Sequence, residues 1–236
     1  MKAPIILAVD TSDFETAISW IEATQESVSV FKLGLEFFLN FGAPGVEEVV
    51  KRTGAQIFLD LKLHDIPHTV SGSAKAISHL NPMFLTVHAS GGRAMINAAA
   101  QAVPNVAITA VTILTSLSES DLFEIGYANP ALESAVALAK MAVESGAKAL
   151  VCSPLETAAI RSAVGSEPVI ITPGVRPLAE QGGDDQVRTM TPGDAIAAGA
   201  NFVVIGRPIT NSWADGPTAM GKKAQSIADE ILTALA

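Results

Sequence analysis

Short apolar stretches alternate along this chain with longer amphipathic or alanine-rich stretches. The apolar stretches are hydrophobic at successive positions rather than at every second position, which is typical of parallel strands covered on both faces. Eight of them have the composition of strands: Ile5–Asp10, Ser29–Gly34, Ile57–Lys62, Phe84–His88, Val106–Leu114, Ala149–Ser153, Val169–Pro173 and Phe202–Gly206. The stretches between them predict helices, such as Phe14–Thr24, Pro44–Thr53, Ala131–Ser145 and Thr157–Val164.

The expected helix ends carry capping residues. Thr11–Asp13 and Ser118–Asp121 are typical of helix starts, whereas a glycine such as Gly54, Gly146 or Gly199 just before a strand indicates a helix end. Eight strand–helix units in 236 residues predict a single α/β domain over residues 1–236, a closed (β/α)₈ TIM barrel. An open doubly wound sheet is the alternative, but the first turn lacks the glycine pattern of that fold. The longest irregular segment, Gly174–Thr191, is expected to be functional.

Composition narrows the range of partners. The formal net charge of −9 argues against a nucleic-acid surface, while a small anionic substrate is still compatible with a local group of cations. No stretch approaches the roughly 20 apolar residues of a membrane span, and the first apolar run is too short for a secretory signal. Cys152 is the single cysteine, so no internal disulfide forms. We therefore expect a cytoplasmic protein.

Polar side chains mark the carboxyl ends of the predicted strands, where barrel enzymes place their chemistry. Alternation along a strand puts Asp60 and Lys62 on one face and the intervening leucines on the other. Asp65 follows just past the strand end, and Lys32 points inward from the neighbouring strand. Ammonium groups between carboxylates favour a proton-transfer site, because such a cluster is costly in a core. A structural ion-pair network at the barrel rim is the alternative.

A phosphate site is predicted at the last two strands. Arg176 and Arg207 can offer forked donors to phosphate oxygens, and Gly206 lets a backbone N–H approach an anion. Barrels often hold phosphate at the loops after strands seven and eight. The alternative for Arg207 is an ion pair with a surface acid.

A metal site is less favoured. His64, Asp65 and His68 are spaced for one, but Lys62 would repel a divalent cation. His88 is interpreted as a rim histidine. Cys152 is interpreted as a small buried apolar side chain.

The segment Asp60-Leu61-Lys62-Leu63-His64-Asp65-Ile66-Pro67-His68-Thr69 resembles the signature of the orotidine 5'-phosphate decarboxylase family. Other segments resemble the family in the same order along essentially the whole chain: Asp10, Lys32, Leu114–Ser116, Thr172–Arg176, Asp185–Arg188 and Val204–Thr210. The length and short loops resemble the bacterial, monofunctional type. The resemblance implies a homodimer with shared active sites and no metal or organic cofactor. It also implies conversion of orotidine 5'-monophosphate to uridine 5'-monophosphate and carbon dioxide, the last step of de novo pyrimidine synthesis.

The resemblance also implies roles for individual residues. Lys62 would donate a proton to the carbon that loses the carboxylate, and Asp60 would lie beside that carboxylate. Asp65, with Ile66 and Thr69, would enter the site of the partner subunit. The remaining roles are binding roles: Asp10 and Lys32 at the ribose, Thr115 and Ser116 at the base, Gln186 (or Gln181, since the loop has one extra residue) between base and phosphate, and Arg176, Gly206 and Arg207 at the phosphate.

Two other functions remain open at this point. The pair Asp60 and Lys62 also resembles that of sugar-phosphate decarboxylases or aldolases that use Mg²⁺. A non-catalytic sensor of a phosphorylated ligand could be built on the same scaffold, because a fold alone does not define an activity.

Overall fold

Eight parallel strands close into a barrel in this computed structural model, which describes residues 2–177 and 190–235. Each strand pairs with the next one along the chain, and the last pairs with the first. The predicted closed barrel is therefore confirmed. The strands are β1 (Ala3–Ala8), β2 (Val28–Gly34), β3 (Ile57–Leu63), β4 (Phe84–His88), β5 (Ala107–Val111), β6 (Ala149–Val151), β7 (Val169–Thr172) and β8 (Phe202–Ile205).

Helices connect the strands on the outside of the barrel. In the described part of the chain the α-helices are α1 (Phe14–Thr24), α2 (Leu35–Thr53), α3 (Pro67–Ala76), α4 (Gly92–Ala102), α5 (Glu119–Glu124), α6 (Ala131–Glu144), α7 (Thr157–Val164), α8 (Pro192–Ala197), α9 (Arg207–Thr210) and α10 (Pro217–Ala234). The Asp13 side chain caps α1 by accepting the Thr16 backbone N–H at 2.7 Å, and Ser118 caps α5. Gly54 ends α2 with a φ of 66°, a left-handed conformation that glycine adopts without strain.

Helix α2 begins earlier than its pattern predicts. The sequence predicts a helix from Pro44, whereas the helical segment starts at Leu35 and bends at Gly42, whose φ of 60° and ψ of −163° are not helical. Pro44 follows the bend, because proline has no N–H for a helical hydrogen bond but fits the first turn of a new segment. The kink divides one long amphipathic pattern into two, which hides its first half from the sequence.

Two apolar layers hold the barrel. The larger one packs the strands against the helices, and a smaller one fills the barrel interior with Ile6, Val30, Phe58, Phe84, Ala149 and Ile171. In the interior layer the Phe84 ring meets Phe58 and Phe202 edge-on, with ring centroids 5.5 Å and 5.9 Å apart. This packing closes the interior, so polar side chains beyond it stand on an apolar floor at the carboxyl ends of the strands. None of the helices in residues 2–177 and 190–235 is long and apolar enough to cross a membrane.

Candidate active site

Four charged side chains form a chain of ion pairs at the carboxyl ends of the first three strands. Lys32 Nζ lies 3.2 Å from an Asp10 carboxylate oxygen and 3.5 Å from Asp60 Oδ2, and Lys62 Nζ lies 2.8 Å from the same Asp60 oxygen. Strand register explains the convergence, since β2 and β3 pair with Gly34 opposite Asp60. The structure thus brings together Asp10, Lys32, Asp60 and Lys62, as the sequence predicts. Charges alternate along the row, so each cation faces an anion.

Asp60 is the most enclosed acid of this row, with only 12% of its side chain exposed. Burial raises the pKa of its carboxyl, but attraction to Lys32 and Lys62 and hydrogen bonds from Lys62 and Thr86 outweigh burial. The pKa of Asp60 therefore lies below its ordinary value, and the side chain is an anion at neutral pH. A fixed anion beside a fixed ammonium is a preorganised electrostatic site.

Lys62 reaches this position through an irregularity of β3. Its φ is 48°, a left-handed conformation that non-glycine residues rarely adopt, and the register of β3 against β4 shifts between Leu59 and Leu63. The Lys62 backbone N–H donates to the Thr86 hydroxyl at 2.8 Å, and that hydroxyl donates to Asp60 Oδ1 at 3.0 Å. Sequence reasoning missed Thr86, because a threonine inside an apolar strand carries no functional signal.

A cavity of about 190 Å³ opens beside the cluster. Its charged wall consists of Lys32, Asp60 and Lys62, and Thr115 adds a hydroxyl. The rest of the lining is apolar except for the Cys152 thiol: Phe58, Val111, Ile113, Leu114, Val151, Cys152, Pro173 and Val204. An apolar pocket with a few convergent charges is typical of a small-molecule site. It suits a flat ring with one edge turned toward an ammonium group.

Gly34 is a second residue that the sequence analysis did not single out. A Cβ atom at this position would lie 3.2 Å from Lys32 Nζ and 3.5 Å from Asp10 Oδ1. A side chain here would therefore press on the ion pair between Lys32 and Asp10. Its signal in the sequence is weak, because a glycine at a strand end usually marks a turn.

The predicted base and phosphate residues occupy different environments. Ser116 follows the cavity residue Thr115 in an exposed turn. Gly206 and the exposed Arg207 lie where β8 passes into α9. Arg176 is 7% exposed, and its Nη1 donates to the Val175 carbonyl at 2.9 Å.

The loop after β7 is described only at its two ends. The Arg176 backbone N–H donates to the Met190 carbonyl at 2.9 Å, and a bridge between Val175 and Met190 joins the two ends of the Gly174–Thr191 segment. Gln186 and the alternative Gln181 lie outside the described residues, as does the Asp185–Arg188 segment.

The residues expected to serve a partner subunit face outward. Asp65, Ile66 and Thr69 are exposed, and Ile66 keeps 66% of its surface accessible. Asp65 accepts the Ile66 backbone N–H at 2.6 Å, and within residues 2–177 and 190–235 it forms no ion pair closer than 4.0 Å. One chain alone does not bring Asp65 to the Asp60–Lys62 pair.

The histidines near the site stand close together. The His64 and His88 rings have centroids 5.4 Å apart. Burial, followed by repulsion from His64 and Lys62, lowers the pKa of His88, so its neutral form is favoured. In the described ranges no three His, Cys, Asp or Glu side chains come together as a metal site requires. Burial raises the pKa of the Cys152 thiol to about 12, which makes it a poor nucleophile.

A charged cluster over an apolar cavity, at the carboxyl ends of the strands, is the construction of a (β/α)₈-barrel enzyme. Residues 3–223 match the model of the orotidine 5'-phosphate decarboxylase / HUMPS family. The chain belongs to this family, which confirms both the resemblance and the predicted class of enzyme.

Known proteins resemble the chain over nearly its full length. It is 49% identical to an orotidine 5'-phosphate decarboxylase from Thermobifida fusca, over 95% of this chain and 96% of that one. The relative of the same name from Gluconobacter oxydans is 42% identical over 99% of both chains. A crystal structure of orotidine 5'-phosphate decarboxylase from Lactobacillus acidophilus superposes with a TM-score of 0.82 at 34% identity, covering 98% of this chain and 99% of that one.

Proposed function

We propose that this protein converts orotidine 5'-monophosphate to uridine 5'-monophosphate and carbon dioxide, the last step of pyrimidine synthesis, without a metal or organic cofactor. The bond between pyrimidine C6 and the carboxylate breaks, and its electron pair stays on C6. A proton of the Lys62 ammonium then forms the new C6–H bond. The single observation that carries this proposal is the position of Lys62, whose Nζ is held 2.8 Å from Asp60 at the wall of the cavity.

Electrostatics decides which group does most of the work. Two like charges about 4 Å apart repel by roughly 4 kcal/mol at an effective dielectric constant of 20, so Asp60 can destabilise the substrate carboxylate by about that amount. Enzymes lower barriers by about 8–23 kcal/mol, so repulsion alone is too small. We therefore assign the larger share to Lys62, because the negative charge on C6 develops beside its ammonium group.

The remaining residues hold the substrate. Asp10 and Lys32, joined by an ion pair of 3.2 Å, are assigned to the ribose hydroxyls. The base is assigned to Thr115 and Ser116, and the phosphate to Gly206, Arg207 and Arg176, with Gln186 between base and phosphate. The phosphate is remote from the reacting carbon, so its binding energy is available to order the site and expel water.

The functional unit in this proposal is a homodimer. Asp65, Ile66 and Thr69 are exposed in one chain and are assigned to the site of the partner subunit. Asp65 would then extend the row of Lys32, Asp60 and Lys62 by one more acid. We also assign the reaction to the cytoplasm, where the single buried thiol of Cys152 stays reduced.

The decisive test follows the loss of orotidylate absorbance in the ultraviolet with the purified protein. We expect turnover that a chelator does not reduce and that Lys62→Ala lowers by at least about 10⁴-fold, because both proton donation and charge stabilisation are removed. Chelator-sensitive activity on a sugar phosphate would favour the Mg²⁺-dependent alternative. Ligand binding without turnover would favour the sensor.

A further inference from the structure

We propose that Thr86 is a positioning residue for the reaction, acting through Asp60 and Lys62. Thr86 lies in the middle of β4 with no exposed surface. Its hydroxyl donates to Asp60 Oδ1 at 3.0 Å and accepts the Lys62 backbone N–H at 2.8 Å. Thr86 is not among the residues that line the cavity. The inference rests on the proposed function, because it takes Lys62 to be the proton donor.

Only a side chain that both donates and accepts can occupy this position. An ionised carboxylate only accepts hydrogen bonds, and a backbone amide only donates them. The Thr86 hydroxyl satisfies both neighbours at once, so its single proton must point toward Asp60. Valine has nearly the same shape and can do neither.

The bond to Lys62 stabilises an unusual backbone. Between Leu59 and Leu63 the strand β3 advances four residues, while its neighbour β4 advances two, from Leu85 to Val87. Lys62 lies in this irregular part with a φ of 48°. Its N–H points at a side chain of β4 instead of a backbone carbonyl. Without the Thr86 hydroxyl this amide would lose its partner, and the left-handed conformation that aims Lys62 at Asp60 would lose a support.

The bond to Asp60 orients the carboxylate. Lys62 and Lys32 both approach Oδ2, at 2.8 Å and 3.5 Å, while the Thr86 hydroxyl holds Oδ1. Each oxygen therefore has its own kind of partner, which prevents the group from rotating away from the two ammoniums. The same hydrogen bond is among the causes that keep the pKa of Asp60 low. Thr86 thus fixes both members of the reacting pair.

The test compares three variants that change one methyl or hydroxyl group. Thr86→Val removes both hydrogen bonds, and Thr86→Ser keeps the hydroxyl. Thr109→Val is the matched control, since Thr109 pairs with Thr86 across β4 and β5, is equally buried, and donates its hydroxyl to the Ala107 carbonyl at 2.9 Å. We expect Thr86→Val to lower kcat about 10²-fold, the loss typical of a misplaced reacting group, with KM within about threefold. Thr86→Ser and Thr109→Val should stay within about threefold of the parent in both constants.

Thermal unfolding separates a positioning role from a structural one. Both valine variants should unfold cooperatively, and if Thr86→Val does not fold, Thr86→Ala takes its place in the same comparison. A kcat of Thr86→Val equal to that of Thr109→Val, a rise in KM in place of the fall in kcat, or no recovery in Thr86→Ser would each overturn the inference. Lys62→Ala in the same assay separates the two levels. Parental turnover without Lys62 overturns the proposed function as well, whereas an inactive Lys62→Ala beside a fully active Thr86→Val overturns the role of Thr86 alone.

Discussion

Replacing Asp60 by asparagine tests how the charge cluster contributes to decarboxylation. Asparagine keeps the shape of the side chain and removes its negative charge. In the structure Asp60 shares that charge with Lys62 at 2.8 Å and Lys32 at 3.5 Å. A substrate carboxylate about 4 Å away would be repelled by at most roughly 4 kcal/mol, because the two ammonium groups offset part of the field. Since about 1.4 kcal/mol is a factor of ten, the limit corresponds to about 10³-fold.

The expected result follows from this limit. We expect Asp60→Asn to lower kcat by no more than about 10³-fold and to lower KM as well, which is the pattern of relieved strain in the bound substrate. The product, uridine 5'-monophosphate, has no carboxylate at C6, so its affinity should change little and provides the control. Lys62→Ala should lose more turnover than Asp60→Asn.

The assay is the ultraviolet measurement of orotidylate consumption, with product affinity taken from inhibition. Near-complete loss of turnover in Asp60→Asn, with substrate affinity unchanged, would refute the reasoning. That result would mean that Asp60 acts mainly in the transition state, and the larger share assigned to Lys62 would be wrong.

Three further predictions concern the phosphate, the dimer and the scaffold. Arg207→Ala should lower kcat/KM severely, whereas Arg93→Ala should not. Phosphite dianion should partly restore parental turnover of the phosphate-free nucleoside, and no rescue would disprove the coupling. Mixed Asp65→Ala and Lys62→Ala proteins should regain activity through hybrid sites, and failure despite proven subunit exchange would exclude shared sites. Arg161→Ala removes five hydrogen bonds at β7, so calorimetry should show a Tm lower by roughly 5–10 °C; an unchanged Tm would contradict it.

Acid should weaken the charge cluster. The pKa of Asp60 is lowered in the folded protein, so its contribution to stability is complete above its ordinary pKa and is lost as the pH falls through the lowered value. Asp60→Asn removes this contribution, and the loss of stability in acid should then be less steep. A denaturation series across the acid range measures the difference, and identical slopes would contradict the expectation.

The local composition of the chain determined the barrel and most of the charged site. Strands buried on both faces read as continuous apolar runs, and helix ends carry caps such as Asp13 and Gly54, so both can be recognised from short windows of sequence. The side chains of Lys32, Asp60 and Lys62 could be placed together, because parallel strands in a barrel end at the same edge.

Only the tertiary structure decided how that site is held. The left-handed backbone of Lys62, the shift in register beside it and the two bonds of Thr86 depend on how β3 pairs with β4, and no short stretch of sequence encodes a pairing between strands. The closeness of Gly34 to Lys32 and Asp10 likewise depends on three segments meeting in space. Side-chain chemistry follows from residue type, whereas distance and orientation follow from the packing of remote parts of the chain.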